Sequence, residues 1–200
     1  MENKMENKME NKMKGKKKHI ISIAGDLASG KGTVSAILAK KLGYTIYKNG
    51  EYFRKLAKDH NMDVTEFNKY VEKHPEIDRQ IENSARLYSI DHDNFIIDAR
   101  LGWYAVPESF KIYLKVDTDE AAKRAFYDVN RKSTENFNTI EEQKENIILR
   151  FNLENKRYFN LYGVHKEDLT NYDLIIDTTN LAPEQVAEMI YNEYINWYNK

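Results

Sequence analysis

The chain contains no cysteine, which excludes disulfides, thiolate zinc sites, iron–sulfur clusters and a cysteine nucleophile. Its five histidines, at positions 19, 60, 74, 92 and 165, never pair at a metal-ligand spacing, so a zinc enzyme has no support. His92, between Asp91 and Asp93, reads as surface loop. Long apolar runs are missing too: stretches such as Ile20–Ala24 and Phe95–Ile97 fall far short of the ~18–20 residues of a membrane span. The polar opening lacks the apolar region of a secretory signal, so a cytoplasmic location is expected. Glycine is scarce, with eight residues in 200, and that scarcity makes a glycine-rich motif informative.

What is present suits one globular domain with room for a small insertion. Hydrophobic residues make up 41%, and 14 of the 24 aromatics are tyrosine, which excludes wholesale disorder. The net charge of −1 conceals an asymmetry: residues 1–18 carry +4 and the remainder −5. The body is therefore mildly acidic, and neither nucleic acid nor membrane is an expected partner. The opening repeats MENK three times before MKGK. Met is the only apolar type there and cannot bury itself, so residues 1–18 are expected to be a disordered Lys-rich tail. A translation start at Met13 would also explain the repeat.

From His19 onward strand and helix patterns alternate. Short β-branched runs at His19–Ala24, Tyr44–Tyr47, Phe95–Asp98, Phe110–Val116 and Leu174–Asp177 read as strands. Helical spacing marks Thr33–Leu42 and Asn49–His60, and Arg79 and Arg86 share a heptad face directed at solvent. Asp63-Val-Thr-Glu66 and Thr139-Ile-Glu-Glu142 have capping-box form, the second opening a long helix to Gly163. Pro183 begins a terminal helix through about Trp197. The alternation predicts an α/β fold with a parallel sheet, and the polar stretch 128–140 is the best insertion candidate.

Gly25-Asp26-Leu27-Ala28-Ser29-Gly30-Lys31-Gly32-Thr33 fits the phosphate-loop pattern G-x-x-x-x-G-K, for which chance predicts roughly 0.04 matches in this composition. Its glycines allow N–H groups to turn inward around a polyphosphate, the following helix adds its positive end, and Lys31 supplies a cation. Ser29 lies in this loop and not in a nucleophile elbow, so protease and hydrolase readings have no support. The ending Gly-Lys-Gly-Thr resembles that of nucleoside monophosphate kinases. It leaves open whether Thr33 would meet Mg²⁺ directly or through water. Asp98, at the carboxyl end of its strand, is the second candidate metal residue.

Phosphoryl transfer between nucleotides gathers negative charge, and arginine grips phosphate bidentately. Only eight arginines are available: 54, 79, 86, 100, 124, 131, 150 and 157. Arg54 follows Gly50-Glu-Tyr-Phe53, and Arg100 follows Asp98 by two residues. Arg150, Glu154 and Arg157 recur at i, i+4 and i+7, which fits either an ion-pair ladder on a helix surface or a set of catalytic cations. Arg131 and Lys132 lie in the polar stretch, which could close over phosphates as a lid or remain a plain loop.

Several motifs in order, from Ile-Ala-Gly-Asp-Leu-Ala-Ser-Gly-Lys-Gly-Thr33 through Asn49-Gly-Glu-Tyr-Phe-Arg54, Phe67-Asn-Lys-Tyr70, His74-Pro-Glu-Ile-Asp78, Ile97-Asp-Ala-Arg-Leu-Gly-Trp103 and Lys156–Val164 to Tyr172–Thr178, make the chain resemble the archaeal-type cytidylate kinases. These are P-loop enzymes of the nucleoside monophosphate kinase superfamily, and the resemblance covers Ile20 to Ile190. It implies a P-loop kinase fold over residues 19–200: a five-stranded parallel sheet flanked by helices, a helical NMP-binding region at about 49–92, and a lid at about 128–140. It further implies transfer from MgATP to CMP or dCMP by a monomer. Gly25–Thr33 would hold the ATP phosphates, and Arg54 and Arg100 the acceptor's phosphate. Gly50, Phe53 and Asp78 would bound the acceptor pocket, with Arg124, Arg131, Arg150 and Arg157 as lid and near-lid cations. Leu101 follows Arg100 where bacterial cytidylate kinases carry an acidic residue, which leaves the base-reading group open. Another acceptor, such as AMP, UMP or a small metabolite, and a non-catalytic nucleotide-binding module are the alternatives.

Overall fold

The computed structural model describes residues 18–62, 66–67, 70–71, 73–129 and 137–199. Residues 1–17, Asp63, Arg131 and Lys132 lie outside them, and with them the tail, the first capping box and most of the expected lid.

Five strands form one all-parallel sheet: β1 (Ile20–Gly25), β2 (Thr45–Lys48), β3 (Phe95–Asp98), β4 (Phe110–Lys115) and β5 (Leu174–Asp177). Their spatial order is β2-β3-β1-β4-β5. β1 is central and buried along its whole length, which is why its residues read as an uninterrupted apolar run. Each fully buried isoleucine there contributes about 1.5–3 kcal/mol of burial. All strand carboxyl ends lie on one edge of a parallel sheet, and that edge is where ligands are received.

Helices cover both faces: α1 (Lys31–Leu42), α2 (Asn49–Asp59), α3 (Pro75–Asp91), the one-turn α4 (Gly102–Ala105), α5 (Thr118–Tyr127), α6 (Ile140–Tyr162) and α7 (Pro183–Tyr198). One core layer packs α1 and α7 against the sheet through Val34, Leu38, Val186 and Ile190. Another joins Phe95 and Ile97 of β3 to Ala85 of α3. A separate aromatic cluster of Phe53, Phe67, Val71 and Ile81 holds α2 and α3 together, so the region after β2 has its own small core. Sequence reading passes over α4, which is a single turn, and α5, whose buried face is the alanines 121, 122 and 125. Asp117 nonetheless caps α5, its carboxylate accepting the N–H groups of Asp119 and Glu120.

The α6 cap differs from the expected box by one residue. Thr139 Oγ1 accepts the Glu142 N–H at 3.1 Å, but the Glu142 carboxylate reaches past Thr139 to the Asn138 N–H at 2.8 Å. At the far end of the sheet, His19 stacks on Tyr198 at 3.8 Å and its ring meets the Tyr194 hydroxyl, which ties the start of β1 to α7.

β1 ends where it touches β4 most closely. Gly25 has φ 147°, and a Cβ there would sit 2.3 Å from the Leu114 carbonyl oxygen. Gly25→Ala is expected to destabilise the fold by at least about 1–3 kcal/mol from backbone strain, read as a lowered urea midpoint with unchanged slope.

Candidate active site

The loop after β1 is fastened to the sheet before any ligand reaches it. The Asp26 carboxylate accepts the Tyr113 hydroxyl at 2.7 Å and the Val116 N–H at 3.0 Å, and the Asp26 N–H donates to the Leu114 carbonyl at 2.9 Å. The Asp26 side chain and N–H are therefore both spent on β4 and its exit, and this residue anchors the loop to the sheet. The Ser29 carbonyl accepts the Thr178 hydroxyl at 3.1 Å. Ala28 takes a left-handed φ of 59° and Gly30 one of 86°, turning the chain so that α1 starts at Lys31. The first helical N–H to find a carbonyl is that of Val34, on Gly30 at 3.0 Å. The N–H groups of Lys31, Gly32 and Thr33 remain to face an anion.

Lys31 Nζ donates to the Gly25 and Asp26 carbonyls at 3.0 and 2.6 Å. Burial, and then the nearby Arg100 charge, lower its pKa to about 8. Asp98 ends β3 beside it, and its Oδ2 lies 3.8 Å from where a Gly32 Cβ would be. Burial raises the Asp98 pKa against the pull of Lys31 and Arg100. Thr33, exposed in the first turn of α1, completes this corner. No group of three or more His, Cys, Asp or Glu side chains that could hold a metal occurs among the described residues. A divalent cation here would accordingly draw most of its oxygens from bound phosphate and water, which suits magnesium.

The Arg150–Glu154–Arg157 spacing does not produce a ladder in the fold. Glu154 instead accepts Arg100 Nε at 2.7 Å and Lys166 Nζ at 2.6 Å. Burial would raise its carboxyl, but these two cations prevail and hold its pKa at about 2. The same pair raises the Arg100 pKa further. Arg157 turns to α3, its Nε 3.2 Å from Asp78 Oδ2. Burial opposes the Arg157 charge, while Tyr158 and Asp78 outweigh it and hold the guanidinium above its ordinary pKa. Arg150 is partly buried midway along α6.

Other expected site residues are distributed less evenly. Arg124, expected among the lid and near-lid cations, pairs with Glu120 and donates to the Thr178 and Thr179 carbonyls at 2.8 and 2.9 Å. It thereby joins α5 to the turn after β5, next to the phosphate loop. Arg54 is exposed on α2, with its Nη1 3.5 Å from where a Gly50 Cβ would be. Phe53 packs on Phe67, ring centres 4.9 Å apart. Asp78 is 2% exposed, and it lines a cleft of about 250 Å³ with Arg157, Val71, Pro75, Leu153 and Leu161.

Three buried polar residues escape sequence reasoning. Glu82, 6% exposed, accepts Asn49 Nδ2 at 3.3 Å, and burial followed by the Asp78 charge raises its pKa to about 7. Lys166 is 3% exposed beneath Glu154. A polar residue immediately after a strand, as Asn49 is, and a carboxylate one turn beyond Asp78, as Glu82 is, are weak signals that could have suggested two of them. Lys166, within His165-Lys-Glu-Asp168, carries none.

The sequence profile described as the cytidylate kinase-like family matches residues 20–180. The chain is 36% identical to a cytidylate kinase of Thermoplasma volcanium, over 86% of this chain and 89% of that protein. It is 35% identical to a cytidylate kinase of Pyrococcus abyssi, over 90% and 96%. Among solved structures, a shikimate kinase from Bacteroides thetaiotaomicron superposes with a TM-score of 0.63 at 14% identity, covering 89% of this chain and 98% of its own. That likeness bears on the fold alone.

Two of the shifted carboxyls, Glu154 and Glu82, impose opposite pH dependences. Glu154 has a folded value of about 2 against 4.5 for the free side chain, so its pairs stabilise above pH 4.5 and are lost as pH falls toward 2. Glu82, at about 7, is accommodated without penalty below pH 4.5 and costs stability as pH rises through 7. Glu154→Gln is expected to lose about 2–3 kcal/mol at neutral pH and to flatten the acid limb. Glu82→Gln is expected to gain stability at pH 8. Urea titrations at pH 3, 5 and 8 check both.

Proposed function

The chain belongs to the cytidylate kinase-like family, and from that premise we propose that it transfers the γ-phosphoryl group of MgATP directly to CMP or dCMP. A phosphate oxygen of the acceptor attacks the γ-phosphorus in line, the bond to the β–γ bridging oxygen breaks, and ADP leaves as the nucleoside diphosphate forms. The observation that carries this reading is the nearness of two cationic sets at the carboxyl ends of adjacent strands: Lys31 in the loop after β1, and Arg100 after β3, close enough to depress the Lys31 pKa. A switch that only held a nucleotide would need the first set alone.

In this reading the N–H groups after Gly30 and the Lys31 ammonium hold the ATP phosphates. Arg100, oriented by Glu154, and Arg54 hold the acceptor's phosphate, and Arg150 and Arg131 add charge as the transfer proceeds. Asp98 and Thr33 would hold Mg²⁺, which when bound offsets phosphate charge and aligns the reacting oxygens. Catalysis then rests on positioning and on cations fixed in a poorly hydrated cleft. No helix among the described residues is long and apolar enough to cross a membrane, and the setting we infer is cytoplasmic pyrimidine nucleotide metabolism by a monomer, with residues 1–18 outside the working domain.

A coupled ADP-release assay with CMP, dCMP, UMP, AMP and GMP as acceptors is expected to show preference for the cytidine nucleotides, and equal use of all five would overturn the specificity. Lys31→Met is expected to lower kcat by roughly 10²–10⁴. Arg54→Ala should raise the acceptor KM with the ATP KM unchanged. A chain lacking residues 1–18 should keep its turnover.

A further inference from the structure

Nine buried side-chain polar atoms among the described residues have no hydrogen-bond partner. Four belong to one patch: Asn49 Oδ1, Asp78 Oδ2, Arg157 Nε and Tyr162 Oη. They come from three elements, α2 where it follows β2, α3 and α6, so local chain geometry does not account for the grouping. Asn49 is tied to Glu82, one turn along α3 from Asp78. Asp78 Oδ2 lies 3.2 Å from Arg157 Nε, outside hydrogen-bond alignment. The Tyr162 hydroxyl stands in the field of Asp78 and Glu82. Of the four, Asp78 and Arg157 line the cleft described above; leaving a buried polar atom unpaired is costly, and such groups beside a cleft mark a place where a ligand completes the bonding.

Their chemistry specifies that ligand. Asn49 Oδ1 and Asp78 Oδ2 accept, and together call for two N–H groups. Arg157 Nε and Tyr162 Oη donate, and call for acceptors. An amino group flanked by a ring nitrogen and a carbonyl presents this pattern, and that is the N4, N3 and O2 edge of cytosine. Uracil would set its O4 against two acceptor oxygens, and adenine has the amine and ring nitrogen without the carbonyl. Resting on the phosphotransfer reading above, we propose that Asn49, Asp78, Arg157 and Tyr162 are the base-reading residues of the acceptor site. Glu82 is a positioning residue: its carboxylate accepts an N–H of the Asn49 amide and thereby leaves Oδ1 to receive the amino group.

The first test needs no variant. Wild-type protein is compared on CMP, UMP and the pyrimidin-2-one ribonucleoside monophosphate, which lacks the 4-amino group. CMP is expected to exceed both in kcat/KM by about tenfold or more. The second test uses Asp78→Asn and Glu82→Gln, each of which can turn an amide donor toward the base or toward Asn49. Both are expected to narrow the CMP-to-UMP ratio by about tenfold, through the KM for CMP, with the KM for ATP within twofold of wild type. The loss caused by removing the 4-amino group should shrink in Asp78→Asn, a coupling that a merely structural role would not produce. Equal use of CMP and the pyrimidin-2-one analogue by wild type overturns the assignment. So does an unchanged CMP-to-UMP ratio in both folded variants. A wild-type protein that phosphorylates no mononucleotide at all instead overturns the phosphotransfer reading itself.

Discussion

Charge compensation among neighbouring buried groups governs this molecule. Lys31, Arg100, Arg157 and Lys166 are set among Asp98, Glu154, Asp78 and Glu82. Neither set is tolerable there without the other, because burial of an isolated charge costs several kcal/mol. The carboxylates therefore do two things. They let the cations sit in place before phosphate arrives, and they fix the direction of each guanidinium. Glu154 does the most, since it holds Arg100 from the sheet edge and Lys166 from the loop after α6 with a single oxygen.

This arrangement explains which parts of the chain could be read in advance. The strands were legible because a parallel sheet buries both faces, and residues such as Ile20, Ile21 and Ile23 or Phe95, Ile96 and Ile97 then have to be apolar without alternation. The phosphate loop was legible because Gly30 answers a purely local need, the left-handed turn into α1. The terminal helix announced itself through Pro183 at its first turn.

The ionic partnerships were not legible, for an equally physical reason. Helical spacing placed Glu154 between Arg150 and Arg157, and local geometry allowed a ladder. Arg100, 54 residues earlier, and Lys166, 12 residues later, reach the same carboxylate in a more enclosed setting, where an ion pair is stronger than on a solvated face. Asn49 and Glu82 are separated by 33 residues, and nothing at either position signals the other. The partners of Arg124 were equally hidden: the turn after β5, 54 and 55 residues away, offers the carbonyl oxygens that its guanidinium reaches.

The Asp26 anchor has a wider consequence. A loop that must wrap an anion normally surrenders chain freedom at the moment of capture, and that loss subtracts from affinity. Here the surrender was made during folding, when Asp26 closed on Tyr113 and Val116. Recognition by this loop is thus a docking onto a template whose shape the fold has already set.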